Sequence, residues 1–201
     1  GEPGGGAAGA AATARKFKFD AVLPPSTTQS ELFEATNLPA LIRRTLSGFN
    51  LTAMAYGQTG SGKTHTMEGP PGDAGVTPRV VAGLFAEIAR AKEVGELSRA
   101  EVTCSFVQLY NEQLLDLLSN SDDAVRAAGD NRTGSLGKGR GFQQGLPVRW
   151  SKRKGFYAQG LSHFPVASAA EAMGLFRNGI QRRGGAGHEK KAPSSRSPNI
   201  F

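Results

Sequence analysis

The chain has very little cysteine and no long apolar run. Cys104 is the single cysteine among 201 residues, so an intrachain disulfide is excluded, and one free thiol is compatible with a reducing compartment. No apolar stretch approaches the ~20 residues that a membrane span needs, and no signal peptide is predicted. The three histidines, His65, His163 and His188, lack metal-site spacing. Disulfide scaffolds, membrane-spanning proteins and histidine-based metal sites are therefore disfavoured.

The charge balance is basic. The net charge is +7, from 24 Lys and Arg against 17 Asp and Glu. Such an excess suits an acidic partner, which could be nucleic acid, anionic lipid or an acidic protein surface. A solvated surface is the other interpretation, because much of the excess lies in one glycine-rich stretch. The hydrophobic content of 38% is enough to build a core.

Residues 57–64 fit the phosphate-binding pattern G-x-x-x-x-G-K-[ST] at every fixed position. Glycines allow the backbone to wrap closely around phosphate oxygens and to point its N–H groups inward. Lys63 adds a positive charge for the terminal phosphates, and Thr64 adds a hydroxyl for Mg²⁺. The predicted phosphate-binding residues are Gly57, Gln58, Thr59, Gly60, Ser61, Gly62, Lys63 and Thr64.

The flanks of this motif argue against a chance match in a glycine-rich chain. The apolar segment 51–56 precedes it and predicts a buried strand. Residues from Thr64 onward can begin a helix, whose dipole would favour an anion at its N-terminus. Strand, glycine loop and helix is the order that the motif requires.

Capping and periodicity predict the remaining elements. Thr28 and Glu31 have the spacing of a capping box at the start of a helix. The predicted strands are 16–20, 101–110, 156–161 and one beginning at 199, and the predicted helices are 29–36, 39–47, one from Thr77, 114–118 and 168–182. Residues 1–16 are rich in Gly and Ala and are expected to be disordered, and 119–145 are expected to form a low-complexity insertion. Alternating strands and helices predict an α/β domain around a central sheet.

Several segments of the chain resemble the motor domain of the kinesin family. They occur in the family's order: Phe19-Asp20, Thr28-Gln29, Ala55 to Gly69, Leu109 to Glu112 with Asp116 to Leu118, and Ser194 to Ser197. The segment from Ala55 to Gly69 is similar to the kinesin loop well beyond the generic motif. The resemblance covers residues 17–201 and implies an α/β fold of the P-loop NTPase type, with a central, mainly parallel sheet flanked by helices.

The resemblance also implies a function and a set of roles. Kinesins couple ATP hydrolysis to movement along microtubules, so it implies ATP and Mg²⁺ as cofactors, microtubules rather than nucleic acid as partner, and a cytoplasmic, cytoskeletal location. Gly57 to Lys63 would bind the phosphates, and Thr64 and Ser195 would approach Mg²⁺. Ser194 would help hold the attacking water, and Arg196 would pair with an acidic residue of the second switch. The implied catalytic residues are Lys63, Ser194, Ser195 and Arg196.

The chain departs from the family pattern around the first switch. Lys191 stands where the family has Asn, His188 where it has Thr, and Pro198 where a His normally follows. The second switch is not found in these 201 residues, so we expect a partial motor domain. Two alternatives remain: a truncated or degenerate nucleotide-binding module without ATPase or motor activity, and an unrelated P-loop enzyme such as a nucleotide kinase. The last would make the extended likeness a coincidence.

Overall fold

The computed structural model describes residues 15–119, 145–185 and 198–201. Within these ranges the helices are α1 (Gln29–Ala35), α2 (Leu38–Thr45), α3 (Lys63–Met67), α4 (Val76–Glu93) and α5 (Ala169–Gly185). The strands are β1 (Val102–Cys104), β2 (Val107–Tyr110), β3 (Gln113–Asp116), β4 (Val148–Ser151), β5 (Gly155–Ala158), β6 (Phe164–Val166) and β7 (Asn199–Ile200).

Helix α1 begins at the predicted capping box. The Thr28 hydroxyl accepts a hydrogen bond from the Glu31 backbone N–H at 3.2 Å, and the Glu31 carboxylate accepts from the Thr28 N–H at 2.8 Å. Two N–H groups that the first turn would leave unpaired are thus satisfied reciprocally. The hydrogen bond from the Thr28 backbone holds the pKa of Glu31 below its ordinary value of 4.5.

We expect this cap to make stability depend on pH. Because the folded-state pKa of Glu31 is lowered, the carboxylate stabilises the fold above the unfolded pKa, and this contribution is lost as pH falls through the folded value. Thermal melts of the wild type and of Glu31→Gln, from pH 7 down to pH 3, should show a difference that narrows below about pH 4.5. A difference that stays constant over that range would contradict the assignment.

Helices α2 and α4 pack closely side by side. Ile42 of α2 is 2% exposed, and a Cβ built on Gly83 of α4 would lie 3.1 Å from its Cδ1 atom. Arg43 and Glu87 bridge the pair at 3.2 Å. Helix α2 carries proline in its first turn, as predicted. Helix α4 begins at Val76 after Gly75, one residue before the predicted start at Thr77.

Two predictions around residues 101–118 are wrong. The predicted strand 101–110 is two strands, because β1 pairs with β6 while β2 pairs with β3 and β7. The predicted helix 114–118 is largely strand β3. Asn111 and Glu112 have positive φ angles of 48° and 61°, and such a pair forms a two-residue hairpin turn that sends the chain straight back along β2.

Strand pairing within the described residues is antiparallel. β1 pairs with β6, β2 pairs with both β3 and β7, and β4 pairs with β5. None of these four pairs is parallel. The predicted strands 16–20 and 51–56 carry no ladder hydrogen bonds to a described strand, so they are not strands here. Alternating apolar residues favour a strand, but its hydrogen bonds need a neighbour.

The main core lies between the β-strands and α5. Phe106, Leu117 and Leu118 are at most 1% exposed and belong to one buried cluster with Phe176 of α5. The Phe106 ring stacks on Phe176 at 5.3 Å and meets the edge of Phe201 at the same distance. Phe176 of α5 is buried, and Met173 and Ile180 pack against the same cluster, so these three residues face the core.

Some predictions fall outside the described residues. These are the disorder of residues 1–14, nearly all of the insertion at 119–145, and the switch-like segment from Ser194 to Ser197. In the part of the chain that the structure describes, no helix combines the length and apolarity needed to cross a bilayer.

Candidate functional site

The predicted phosphate loop, residues 57–64, has the backbone that a tight loop needs. Gly60 and Gly62 have φ angles of +81° and +89°, a left-handed region that residues with a Cβ seldom adopt. Gly57 lies close to Ser61, because a Cβ there would be 2.5 Å from the Ser61 Oγ atom and would force that side chain to move. The Ser61 N–H donates to the Gln58 carbonyl at 3.2 Å. The loop therefore folds back on its own first residues.

Lys63 closes this loop. Its Nζ atom donates hydrogen bonds to the carbonyl oxygens of Gly57 at 2.9 Å and Gln58 at 2.7 Å. The lysine side chain is half-buried, while residues 58–62 are exposed to solvent. An ammonium group can donate three hydrogen bonds, and two of them tie the end of the loop to its beginning. The cation therefore lies across the loop.

Helix α3 follows the loop directly. The predicted start at Thr64 is one residue late, because the helix begins at Lys63 with Gly62 as its cap. The N–H groups of Thr66 and Glu68 donate to the carbonyls of Gly62 and Thr64, both at 2.8 Å. The exposed Thr64 hydroxyl is therefore carried on the first turn, next to the loop.

Two contacts hold α3 in place, and sequence reasoning found neither. At its C-terminal end, the Gly75 N–H donates to the Glu68 carbonyl at 3.1 Å, and a Cβ on Gly75 would lie 2.6 Å from the Thr66 carbonyl. From α1, the Gln29 Nε2 atom donates to the His65 carbonyl at 2.7 Å. Thr28-Gln29 was named as a segment that resembles the kinesin family, but the sequence did not predict this contact.

The site suits Mg²⁺ bound together with phosphate rather than a metal held by protein alone. Within residues 15–119, 145–185 and 198–201 there is no group of three or more His, Cys, Asp or Glu side chains arranged for a metal. Mg²⁺ commonly takes one or two protein oxygens plus phosphate oxygens and water. One exposed hydroxyl, that of Thr64 beside the loop, fits this mode.

The structure brings together only the first part of the predicted site. Residues 57–64 form one continuous loop and helix start, whereas Ser194, Ser195 and Arg196 lie outside the described residues. Their roles stay predictions. The segment before the loop is more exposed than a buried strand would be, with Met54 81% and Tyr56 94% exposed.

Comparison with known proteins settles the family. The family model for the kinesin motor domain matches residues 7–201. The chain belongs to the kinesin motor domain family. Mouse kinesin-like protein KIF18A is 38% identical over 186 residues, which are 92% of this chain and 18% of that protein. Kinesin-like protein 3 of Schizosaccharomyces pombe is 34% identical over 188 residues, 92% of this chain and 29% of that protein.

Solved kinesin structures share the fold. A fast kinesin superposes with a TM-score of 0.69 at 31% identity, covering 91% of this chain and 46% of that chain. A KIF14 dimer with AMP-PNP in complex with a microtubule gives 0.61 at 31% identity, covering 80% of this chain and 39% of that chain. These likenesses confirm the predicted α/β class of the P-loop NTPase type. The chain spans less than half of either solved kinesin chain.

Proposed function

We propose that residues 17–201 are the nucleotide-binding part of a kinesin motor, and that the loop from Gly57 to Thr64 binds the phosphates of ATP. The observation that carries the proposal is the closed glycine loop, with Lys63 across its mouth and α3 directly behind it. From composition alone, we propose residues 1–16 as a separate Gly/Ala-rich segment and 119–145 as a low-complexity insertion.

The loop can supply three kinds of interaction to a triphosphate. Backbone N–H groups from Gly60 to Thr64 would donate to phosphate oxygens, and the left-handed glycines let them converge. Lys63 would add a charge-assisted hydrogen bond. Thr64 would hold Mg²⁺, which neutralises phosphate charge when bound.

The segment from Ser194 to Arg196 completes the proposed site. By its likeness to the family's first switch, Ser195 would approach Mg²⁺ and the γ-phosphate, Ser194 would hold the attacking water, and Arg196 would pair with an acidic partner. Lys191 and Pro198 flank this segment, and Pro198 has no N–H to donate. Because these side chains would act on the γ-phosphate and the attacking water, we expect changes in this segment to affect hydrolysis more than binding.

Movement along microtubules is proposed for the complete motor. It is supported by the family and by the KIF14 neighbour, which was solved on a microtubule. The net charge of +7 suits an acidic protein surface. We therefore propose that the complete motor is an ATPase that acts in the cytoplasm on the microtubule cytoskeleton.

A nucleotide-binding module without turnover is the second candidate, because the chain covers only 46% of the solved fast kinesin. ATP turnover measured with and without microtubules separates the two. For these 201 residues we expect MgATP binding weaker than micromolar and little stimulation by microtubules, since they span less than half of the solved fast kinesin chain. Strong stimulation would show that the chain is a motor by itself. No binding of MgATP would refute the proposal.

A further inference from the structure

Gln29 is a buried polar side chain that contacts His65 of helix α3. It is the first residue of α1 and only 5% exposed. Its Nε2 atom donates to the His65 carbonyl at 2.7 Å and lies 3.0 Å from the His65 Nδ1 atom. Burying an amide is unfavourable unless it is hydrogen-bonded. Both of these contacts go to one residue of α3, which is 36 positions further along the chain.

The geometry of the amide fixes the orientation of the His65 ring. An amide NH₂ group has two donors, so one can serve the carbonyl and the other can serve the ring nitrogen. The contact with Nδ1 is a hydrogen bond from the amide when this ring nitrogen accepts. The Gln29 Oε1 atom is also buried and finds no partner among the described residues, so the nitrogen side of the amide makes the attachment.

Helix α3 depends on such attachments. It has five residues, and helices this short are not stable without tertiary contacts. Lys63 and Thr64 form its first turn, directly before His65. The contact with Gly75 fixes the C-terminal end, and the contact with Gln29 fixes the middle. Without the second contact, the first turn can move relative to the loop.

We propose that Gln29 is a positioning residue for the phosphate loop: its amide holds His65, and thereby the turn that carries Lys63 and Thr64. This inference rests on the proposed function of the loop. Gln29 acts through α3 and does not itself touch the phosphate. The effect of losing it is local to α3.

The test uses two buried glutamines of the 201-residue chain. Gln29→Met keeps the volume of the side chain and removes its donors, and Gln108→Met does the same in β2, where Gln108 is 6% exposed. Hydrogen–deuterium exchange is followed at the amides of Thr66, Glu68 and Gly69, which donate within and just after α3. We expect Gln29→Met to accelerate their exchange by about 2- to 12-fold, which corresponds to losing the hydrogen bond to the His65 carbonyl alone. Gln108→Met should leave them within about twofold.

MgATP affinity of the same variants supplies the second readout, and we expect Gln29→Met alone to weaken it. If exchange at α3 is unchanged, or if its amides are already unprotected in the wild type, Gln29 does not hold α3. This conclusion would not depend on the MgATP affinity. Faster exchange with unchanged MgATP affinity would overturn the positioning role. If Gln29→Met exchanges faster but the wild type binds no MgATP, the proposed function is refuted, and so is the role of Gln29 in phosphate binding. The contact by which Gln29 holds α3 would still be supported by the exchange result. If Gln29→Met fails to fold, Gln29→Glu is the second variant, because it keeps shape and places an acceptor against the His65 carbonyl.

Discussion

Replacing Gly179 with alanine should lower the melting temperature by about 2–12 °C. Gly179 lies in α5, where an added Cβ would overlap the Cδ1 and Cε1 atoms of Phe106. Phe106 is 1% exposed and is packed between Phe176 and Phe201, so its ring has no free space to enter. Overpacking of this kind costs roughly 1–3 kcal/mol, and each kcal/mol shifts the midpoint of a domain of this size by about 2–4 °C.

Gly174 provides the matched control on the same helix. A Cβ at that position would contact nothing within 4 Å. Alanine there should therefore stabilise the protein by about 0.5–1 kcal/mol, the ordinary gain over glycine in a helix. Thermal melts of both variants, followed by circular dichroism, make the comparison. Equal effects of the two substitutions would contradict the packing of α5 on Phe106.

Replacing Lys63 with alanine should remove detectable MgATP binding. A hydrogen bond from a charged group is worth about 1.5–3 kcal/mol, which is roughly 10- to 150-fold in affinity. The variant also loses the two bonds from Nζ to the carbonyls of Gly57 and Gln58, so the loop loses its own closure. Fluorescent-nucleotide titration or calorimetry measures the result.

Lys92→Ala is the control for the loss of one positive charge. Lys92 is exposed near the end of α4, about 24 Å along the helix from its first turn. A distant exposed charge is largely screened at physiological ionic strength, so affinity should change less than about twofold. Binding that survives Lys63→Ala, or that falls as much in Lys92→Ala, would mean that the loop does not hold the phosphates.

Local chemistry was the most predictable part of this chain. Three features show this: the capping box at Thr28 and Glu31, the proline in the first turn of α2, and the order of glycines from 57 to 62. In each of them, residues close together in the sequence determine the backbone conformation. Such features depend on the backbone groups next to them. They were therefore visible without knowledge of the fold.

The secondary-structure predictions that failed concern segments whose conformation depends on residues distant in the sequence. Residues 51–56 have the composition of a buried strand but no described neighbour to pair with. The leucines after residue 113 suit a helix or a strand, and the left-handed pair Asn111 and Glu112 decides for the hairpin. A pattern of apolar residues cannot show which segment will lie beside it.

The candidate site divides in the same way. Its loop was predictable because every required group lies within eight consecutive residues. The attachment of Gln29 to His65 spans 36 positions, and nothing in the spacing of either residue indicates it. The same holds for the close approach of Gly69 and Gly75, which is a property of two elements meeting.

Amide chemical shifts during a MgATP titration test the central claim most directly. If the main chain of the phosphate loop receives the phosphates, the N–H resonances of Gly60, Gly62 and Lys63 should show the largest changes, and Lys63→Ala should abolish them. A titration that leaves these amides unmoved, or that shifts only residues elsewhere in the chain, would contradict the account.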